Sequence, residues 1–244
     1  MNTLELNKQE ILQLQPDDIK GMLSAEEIVY MAKTLDSFWS YDYVAAEDGR
    51  PGKHALLKSG LHSDGFFISR IFLKHSNIRK IIAHQLVRHY DLLGIPKPDW
   101  VVGIPAGATE LGVDVASIMG VGLAEMQKVD GRIMLTSDIP SGDSLLLVED
   151  FCTQATGFTE AVLDIVEYNP LIDIQPYELV VVSRGGLKEI IVPGVKIFMI
   201  VAAAHHRIND WAKENCPLCL NYGSSPIKPK ESDENWEEIN NSQK

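Results

Sequence analysis

The spacing of apolar residues predicts alternating strands and helices through most of this chain. Short apolar runs predict buried strands at 100–104, 121–125, 132–135, 144–148, 178–183 and 195–201. Apolar residues at helical spacing predict a helix that follows the capping sequence 24–27, and further helices at 76–93, 109–119 and 157–168. Strands that alternate with helices build a mostly parallel sheet covered by helices. We therefore expect an α/β fold.

The ends of the chain differ from this middle part. Residues 1–60 are predicted as an N-terminal helical region, 61–204 as the core, and 205–244 as a C-terminal segment with a polar tail. From about residue 221 the sequence is polar and acidic, which predicts a mobile tail. No internal repeat is visible, and 244 residues suit one large or two small domains.

Composition narrows the functional class. Hydrophobic residues make up 45% of the chain, which is enough for a large core, and the formal net charge of −12 argues against a nucleic-acid-binding surface. No apolar run is long enough for a membrane span, and the first residues do not resemble a signal peptide. Three cysteines fit a reducing compartment. We expect a cytoplasmic protein that binds neither nucleic acid nor membrane.

The segment 145–159 carries the strongest functional signal. Four apolar residues precede Glu149 and Asp150, and a turn rich in threonine and glycine then leads into a helix. Ligands of open α/β sheets bind at the carboxyl ends of the strands. Carboxylates can hold the hydroxyls of a ribose, and a helix N-terminus can hold a phosphate. The segment thus predicts a site for a phosphorylated ribose; the alternative is a buried strand followed by a capped helix.

This layout resembles the phosphoribosyl-pyrophosphate (PRPP) motif of the type I phosphoribosyltransferases. In that motif, two acids follow four apolar residues and precede a Thr/Gly loop. The resemblance assigns PRPP binding to both acids and to the loop residues Thr153, Gln154, Ala155, Thr156 and Gly157. Ala155 stands where the family usually has glycine, whose backbone approaches a phosphate closely.

The segment 101–110 resembles the pyrophosphate loop of the same family. Small residues follow a predicted strand and precede a helix, so that their N–H groups can face an anion. The resemblance assigns PRPP binding to Gly103, Ala106 and Gly107. An ordinary tight turn between strand and helix gives the same pattern.

Two further segments are similar to orotate phosphoribosyltransferase. The sequence 57–67 resembles a family segment whose lysine lies near PRPP and orotate and whose aromatic rings line the base, which implies these roles for Lys58, Phe66 and Phe67. Arg184 follows a predicted strand at the place of a family arginine that contacts orotate, and an arginine can hold a carboxylate with two hydrogen bonds. The alternatives are a hairpin with one buried ring and a surface arginine.

One family segment is incomplete. Orotate phosphoribosyltransferases carry a mobile loop whose distal lysine and histidine close over the reacting centre. Here Gln127 replaces the loop's arginine, Lys128 matches the lysine that follows it, and the distal pair has no counterpart. The resemblance therefore implies a shortened catalytic loop, with Lys128 and Asp150 as the catalytic candidates.

The resemblance as a whole implies a type I phosphoribosyltransferase fold with a small hood, which residues 1–60 and the C-terminal part form over the base. It implies transfer of a base, orotate first, to PRPP, with release of pyrophosphate, Mg²⁺ as cofactor, and a homodimer. No residue is predicted as a metal ligand. Two alternatives stay open: a non-catalytic protein that binds PRPP or a nucleotide, and a transferase for another base.

A short cysteine motif lies near the C-terminus. One Cys-x-x-Cys pair, Cys216 and Cys219, lacks the second ligand pair of a zinc site. His205 and His206 are candidates to complete such a site. Reduced, packed thiols are the interpretation that the sequence favours.

Overall fold

The computed structural model describes residues 2–244. Its helices are α1 (Lys8–Gln13), α2 (Ala25–Thr34), α3 (Tyr43–Glu47), α4 (Ser69–Phe72), α5 (Ser76–Asp91), α6 (Thr109–Met119), α7 (Thr156–Tyr168), α8 (Pro217–Tyr222) and α9 (Asp233–Asn241). Its strands are β1 (Phe38–Ser40), β2 (Lys53–Leu56), β3 (His62–Ser63), β4 (Gly65–Phe67), β5 (Trp100–Gly103), β6 (Gly122–Ala124), β7 (Met126–Val129), β8 (Arg132–Leu135), β9 (Ser144–Cys152), β10 (Asp173–Ser183), β11 (Glu189–Val192), β12 (Lys196–His205), β13 (Asp210–Trp211) and β14 (Ser225–Ile227).

The largest sheet has six strands in the order β11-β12-β10-β9-β5-β6. The strands from β12 to β6 pair in parallel, and only the edge strand β11 runs antiparallel to its neighbour. Helix α6 connects β5 to β6, and helix α7 connects β9 to β10, as the alternating pattern predicts. The predicted α/β fold with a mostly parallel sheet is confirmed.

The chain divides into two compact units. Unit 1 contains the chain through Met31 together with Ser69–His206, and unit 2 contains Ala32–Ile68 together with Arg207–Lys244. Unit 1 holds the six-stranded sheet. Unit 2 combines two segments that are far apart in sequence, whereas the predicted division at residues 60 and 204 follows chain order.

The core of unit 1 forms around the central strands. The apolar run of β9 is fully buried, and so are the four residues 179–182 of β10. Phe158 from α7 packs against Phe198 from β12, with ring centroids 5.0 Å apart in an edge-to-face arrangement. Continuous apolar runs of this kind are typical of parallel strands that are covered on both faces.

Unit 2 contains a four-stranded sheet in the order β13-β3-β2-β14 and a separate β1–β4 pair. In the β1–β4 pair, the rings of Phe38 and Phe67 stack with centroids 3.9 Å apart. The predicted mobile tail is wrong, because α9 is folded and buries Trp236 and Ile239 in this unit. Their spacing of three residues places both on one face of the helix, and the side chain of Ser232 caps its N-terminus.

No helix within residues 2–244 has both the length and the apolar character needed to cross a membrane.

Candidate active site

The acid pair lies at the carboxyl end of β9, in the middle of the six-stranded sheet. β9 continues through Cys152, so that Glu149 and Asp150 belong to the strand, whereas the sequence predicted its end at residue 148. Glu149 is 9% exposed and Asp150 is half-buried. The neighbouring strand β5 ends at Gly103, which pairs with Val148. The two carboxyl groups therefore lie just beyond the end of β5.

Glu149 shares its buried position with a second glutamate. Glu178, on the adjacent strand β10, is fully buried, and Glu149, Cys152 and Glu178 form one group of side chains. Burial raises the pKa of Glu149 well above its ordinary value, and the carboxyl groups of Glu178 and Asp150 raise it further. Burial also raises the pKa of Glu178. Burial of two neighbouring carboxyl groups therefore favours their protonated forms over a pair of negative charges.

The turn between β9 and α7 brings backbone N–H groups to the same end of the sheet. Ala155 precedes the helix in the left-handed conformation, with φ 54°, and it is buried. No side chain among the described residues caps α7, so the N–H groups of its first turn are available to an anion. A Cβ atom on Gly157 would lie 2.8 Å from Oε1 of Glu149. The first turn of α7 and the acid pair are thus direct neighbours.

The loop between β5 and α6 approaches the acid pair from the other side. Ile104 donates its N–H to the carbonyl oxygen of Val148 at 2.8 Å, which ties the loop to β9. Gly107 lies so close to Asp150 that an added Cβ would collide with its carboxylate. Gly103 has no room for a side chain either, because the backbone of Ala108 and Thr109 occupies that space. The structure thus brings the predicted pyrophosphate loop and the predicted ribose acids together.

Arg184 lies at the end of β10 and contacts the β9–α7 turn. Its Nε donates to Oγ1 of Thr153, and its backbone N–H donates to the carbonyl oxygen of Cys152 at 2.9 Å. The following Gly185 lies against the backbone of Thr153. Arg184 is therefore held beside the predicted phosphate loop, a contact that its predicted role with the base did not include.

The segment of the predicted shortened loop is a tight β-hairpin. β7 and β8 pair in antiparallel fashion, and only Asp130 and Gly131 connect them, with φ values of 49° and 86°. Two successive residues with positive φ are typical of the type I′ turn, for which Asp-Gly is a preferred sequence. Lys128 is exposed on β7, a strand that the sequence analysis did not predict, and it lies opposite Ile133. This hairpin has no further residues that could form a long mobile loop.

The remaining predicted residues belong to unit 2. Lys58 is exposed in the turn that joins β2 and β3, where the N–H of Leu57 bonds to the carbonyl oxygen of Leu61 at 2.8 Å. Phe66 is half-buried, with its ring centroid 6.3 Å from that of Trp236, whereas Phe67 is buried against β1. Within unit 2, Phe66 is thus the more accessible of the two rings.

Sequence reasoning missed two sets of residues. Glu178 was assigned only as the start of a strand, and its sequence context gave no signal that its carboxyl group is buried. The second set is in unit 2, where the structure groups the cysteine pair with His54 and His62. The predicted partners, His205 and His206, are not in this group.

The sequence is similar to curated orotate phosphoribosyltransferases. It is 24% identical to the orotate phosphoribosyltransferase of Chlorobium phaeobacteroides over 168 residues, and the match covers 68% of this chain and 81% of the relative. It is 29% identical over 178 residues to that of Caldanaerobacter subterraneus subsp. tengcongensis, which covers 72% of this chain and 87% of the relative. No protein-family model matches the sequence. The predicted resemblance is confirmed.

Solved structures show the same fold. Orotate phosphoribosyltransferase from Aeropyrum pernix superposes with a TM-score of 0.54 at 17% identity, over 73% of this chain and 93% of that one. UMP synthase from Leishmania donovani superposes with a TM-score of 0.50, also at 17% identity, over 87% of this chain and 44% of that one. At this identity the match establishes the fold and leaves the chemistry to the site residues.

Proposed function

We propose that this chain, which has the type I phosphoribosyltransferase fold, joins a base to PRPP and yields a nucleoside 5′-monophosphate and pyrophosphate, with orotate as the first candidate base. The observation that carries the proposal is the convergence of three elements at one end of the sheet. These elements are the acid pair on β9, the uncapped N-terminus of α7 and the glycine loop after β5. Together they offer carboxyl groups for the hydroxyls of a ribose and two sets of N–H groups for phosphates.

In this proposal the two ends of PRPP bind to different loops. The N–H groups that open α7 and the hydroxyl groups of Thr153 and Thr156 hold the 5′-phosphate. The loop around Gly107 holds the pyrophosphate, and Asp150 lies between the two loops, where the ribose hydroxyls would be. The reaction passes through an oxocarbenium-like state, so that these residues act mainly by orienting the substrate and stabilising charge.

The residues at this end of the sheet fit Mg²⁺ as a cofactor. Mg²⁺ prefers oxygen ligands and is usually held by one or two carboxylates together with substrate phosphates. Asp150 offers a half-buried carboxylate beside the proposed pyrophosphate loop. When bound there, the ion would neutralise charge on the pyrophosphate. The pair formed by Glu149 and Glu178 is less suited to a cation, because burial favours its protonated form.

The base-binding roles follow from the resemblance and stay proposals. Arg184 would pair with an acidic base such as orotate, and Phe66 would pack against the ring. A homodimer and a cytoplasmic location are also predictions. The β7–β8 hairpin favours a second candidate function, a protein that binds PRPP without turnover, because it lacks the distal lysine and histidine of the family loop.

The decisive experiment measures pyrophosphate release from PRPP and Mg²⁺ with a panel of bases that includes orotate. The proposal predicts turnover with one base, and Asp150→Asn should weaken PRPP binding about ten- to a hundredfold, since hydrogen bonds to charged groups contribute roughly 1.5–3 kcal/mol. Gly21→Ala is the matched control, because its exposed site has open space around it.

Each outcome separates the candidates. PRPP binding that depends on Asp150 but gives no turnover with any base would favour the binding protein. Failure to bind PRPP at all would overturn both. Turnover with a base other than orotate would correct the substrate and leave the reaction standing.

A further inference from the structure

Four side chains with nitrogen and sulfur donors meet inside unit 2, apart from the residues of the proposed transferase site. The donor atoms of His54, His62, Cys216 and Cys219 all lie within 4.8 Å of one another. Nε2 of His54 is 3.6 Å from Sγ of Cys219 and 3.8 Å from Sγ of Cys216. Nδ1 of His62 is 3.4 Å from Sγ of Cys219 and 2.8 Å from Nε2 of His54. All four donors therefore surround one small volume.

These distances are close to those of a tetrahedral zinc site. With Zn–S of about 2.3 Å and Zn–N of about 2.0–2.1 Å, a tetrahedral ion holds sulfur and nitrogen donors roughly 3.5 Å apart and two nitrogens roughly 3.3 Å apart. The three sulfur–nitrogen distances match this value within a few tenths of an ångström. The two ring nitrogens are closer, at 2.8 Å, and a small ring rotation would separate them. We propose that these four residues bind one Zn²⁺ ion.

The hydrogen bonds around His54 prepare it as a ligand. The hydroxyl of Ser224 donates to the carbonyl oxygen of Gly52 at 3.1 Å, so its oxygen accepts a hydrogen from Nδ1 of His54 at 2.9 Å. In the neutral ring the proton is then on Nδ1, and the lone pair of Nε2 points to the other three donors. Metal-bound histidines almost always donate their second ring N–H to such a partner.

The backbone fixes the four donors before any ion binds. β2 and β3 pair with Leu56 opposite His62, so that His54, two residues before Leu56, lies diagonally across the hairpin on the same face. Cys216 is the N-cap residue of α8, and Cys219 lies in its first turn. His54 and Cys216 are fully buried, His62 is 3% exposed, and Cys219 is half-buried. A preformed and buried set of donors is typical of a structural metal site.

The chemistry of the donors selects zinc. Thiolate and imidazole ligands suit Zn²⁺, whereas Mg²⁺ and Ca²⁺ prefer oxygen ligands. On binding, each thiol releases one proton, and the two thiolate charges neutralise the ion, so that the buried complex has no net charge. Four protein ligands leave no open position, as in structural sites. The ion would join the β2–β3 hairpin to α8, which come from the two separate segments of unit 2.

The first test is the metal content of the full chain, purified without a histidine tag and in the presence of a reductant. The proposal predicts about one zinc ion per chain. After zinc removal, added Co²⁺ should give the visible bands of a tetrahedral ion and the near-ultraviolet charge-transfer band of thiolate ligands. A zinc-free chain that shows no such bands with Co²⁺ would overturn the proposal.

Variants identify the ligands. Cys219→Ser and His62→Gln should each lose zinc to a chelator that leaves the wild-type site loaded. Cys152→Ser and His84→Gln are matched controls and should keep it, because neither residue is in the cluster. Ser224→Ala retains all four ligands and should weaken zinc affinity about ten- to a hundredfold, the usual effect of removing such a partner.

Two further results decide cases in which a variant folds poorly. Cys219→His replaces the sulfur donor with a nitrogen donor and should bind zinc where Cys219→Ser does not. Its Co²⁺ form should lack the charge-transfer contribution of the Cys219 thiolate. Zinc that persists when Cys216→Ser and Cys219→Ser are combined would overturn the proposal. Wild-type zinc affinity in Ser224→Ala would contradict the role of Ser224 as the hydrogen-bond partner that prepares His54 as a ligand.

Discussion

Two loops of unit 1 meet at Asp150, and they keep their shapes by different means. The β5–α6 loop depends on missing side chains, since Gly103 and Gly107 have no space for a Cβ atom. The β9–α7 turn depends on side chains that are present, since Arg184 bonds to Thr153 and Ala155 packs in the core. Two loops at equivalent ends of parallel strands thus have different requirements, glycines without a side chain in one and packed or hydrogen-bonded side chains in the other.

This difference explains why an alanine is tolerated at position 155 of one loop and excluded at position 107 of the other. Ala155 adopts the left-handed conformation that glycine usually provides, and it is buried as a member of the hydrophobic core. At Gly107 the backbone conformation is ordinary and the space is the limit, because the carboxylate of Asp150 fills it. A binding loop can therefore require glycine for two separate reasons, a left-handed conformation or a lack of space for a side chain. Only the lack of space excludes alanine outright.

The largest expected effect is that of Gly107→Ala. The added methyl group would displace Asp150 or the loop itself, and we expect PRPP affinity to fall by roughly a hundredfold or more, about 2.7 kcal/mol. Calorimetric titration with PRPP and Mg²⁺ measures it, and Gly21→Ala serves as the control. Unchanged affinity would show that this loop does not contact the ligand.

Arg184→Ala should alter the shape of the β9–α7 turn. Its side chain holds Thr153, so we expect the affinities for PRPP and for an acidic base both to fall, by about tenfold for PRPP and up to about a hundredfold for the base. Thr153→Val breaks the same hydrogen bond and leaves the guanidinium in place, so that it should lower PRPP affinity alone. If Arg184→Ala spared PRPP, the contact with Thr153 would have no role in the shape of the turn.

A third prediction concerns how stability depends on pH through the buried acids Glu149 and Glu178, which lie near the β9–α7 turn. Because the pKa values of Glu149 and Glu178 are raised on folding, the native protein binds more protons than the unfolded chain above about pH 4. The free energy of unfolding should therefore fall as pH rises through the pair's apparent pKa values, by up to about 1.4 kcal/mol per pH unit for each proton. Cys152 shares this pocket, and its raised pKa keeps the thiol protonated.

Glu178→Gln removes one of the two buried titrating carboxyl groups and should flatten this dependence. Urea unfolding across a series of pH values measures the slope. Glu160→Gln, at an exposed position of α7, is the control and should keep the wild-type slope. Equal slopes in wild type and Glu178→Gln would mean that the two carboxyl groups titrate normally.

The smallest effect is expected for Ala155→Gly. Relief of the left-handed conformation gains about 1–2 kcal/mol, whereas the greater freedom of glycine in the unfolded chain loses about 0.4–1 and the buried methyl group about 0.8. These contributions nearly cancel, so stability should change by less than about 1 kcal/mol and PRPP affinity by less than about threefold. A large loss of PRPP affinity would show that the methyl group itself shapes the site.

The sequence predicted what depends on local pattern. The helix 109–119 and the strand 132–135 are found at those residues, and the acid pair lies at the carboxyl end of its strand. The Asp-Gly pair could also have predicted the turn of the β7–β8 hairpin. The resemblance to the family's catalytic loop led us to interpret this segment as a shortened loop instead. The fold of the tail was missed, although Trp236 and Ile239 have helical spacing.

What the sequence could not provide depends on register and on distant contacts. Glu178 meets Glu149 only because β10 lies beside β9 in one particular register, and no local pattern specifies it. His54 and Cys216 are brought together by pairing between segments that are remote along the chain. The two nearest histidines in sequence, His205 and His206, were the natural candidates for that reason and were wrong.

The two-segment construction of unit 2 affects how the protein is made. During synthesis, residues 32–68 leave the ribosome about 140 residues before the second segment does, which at 5–20 residues per second is on the order of 10 seconds. Throughout this interval β2 lacks its neighbour β14, and an unpaired strand edge can recruit other chains. Newborn chains are therefore exposed to misassembly through β2 until the second segment of unit 2 has been synthesised.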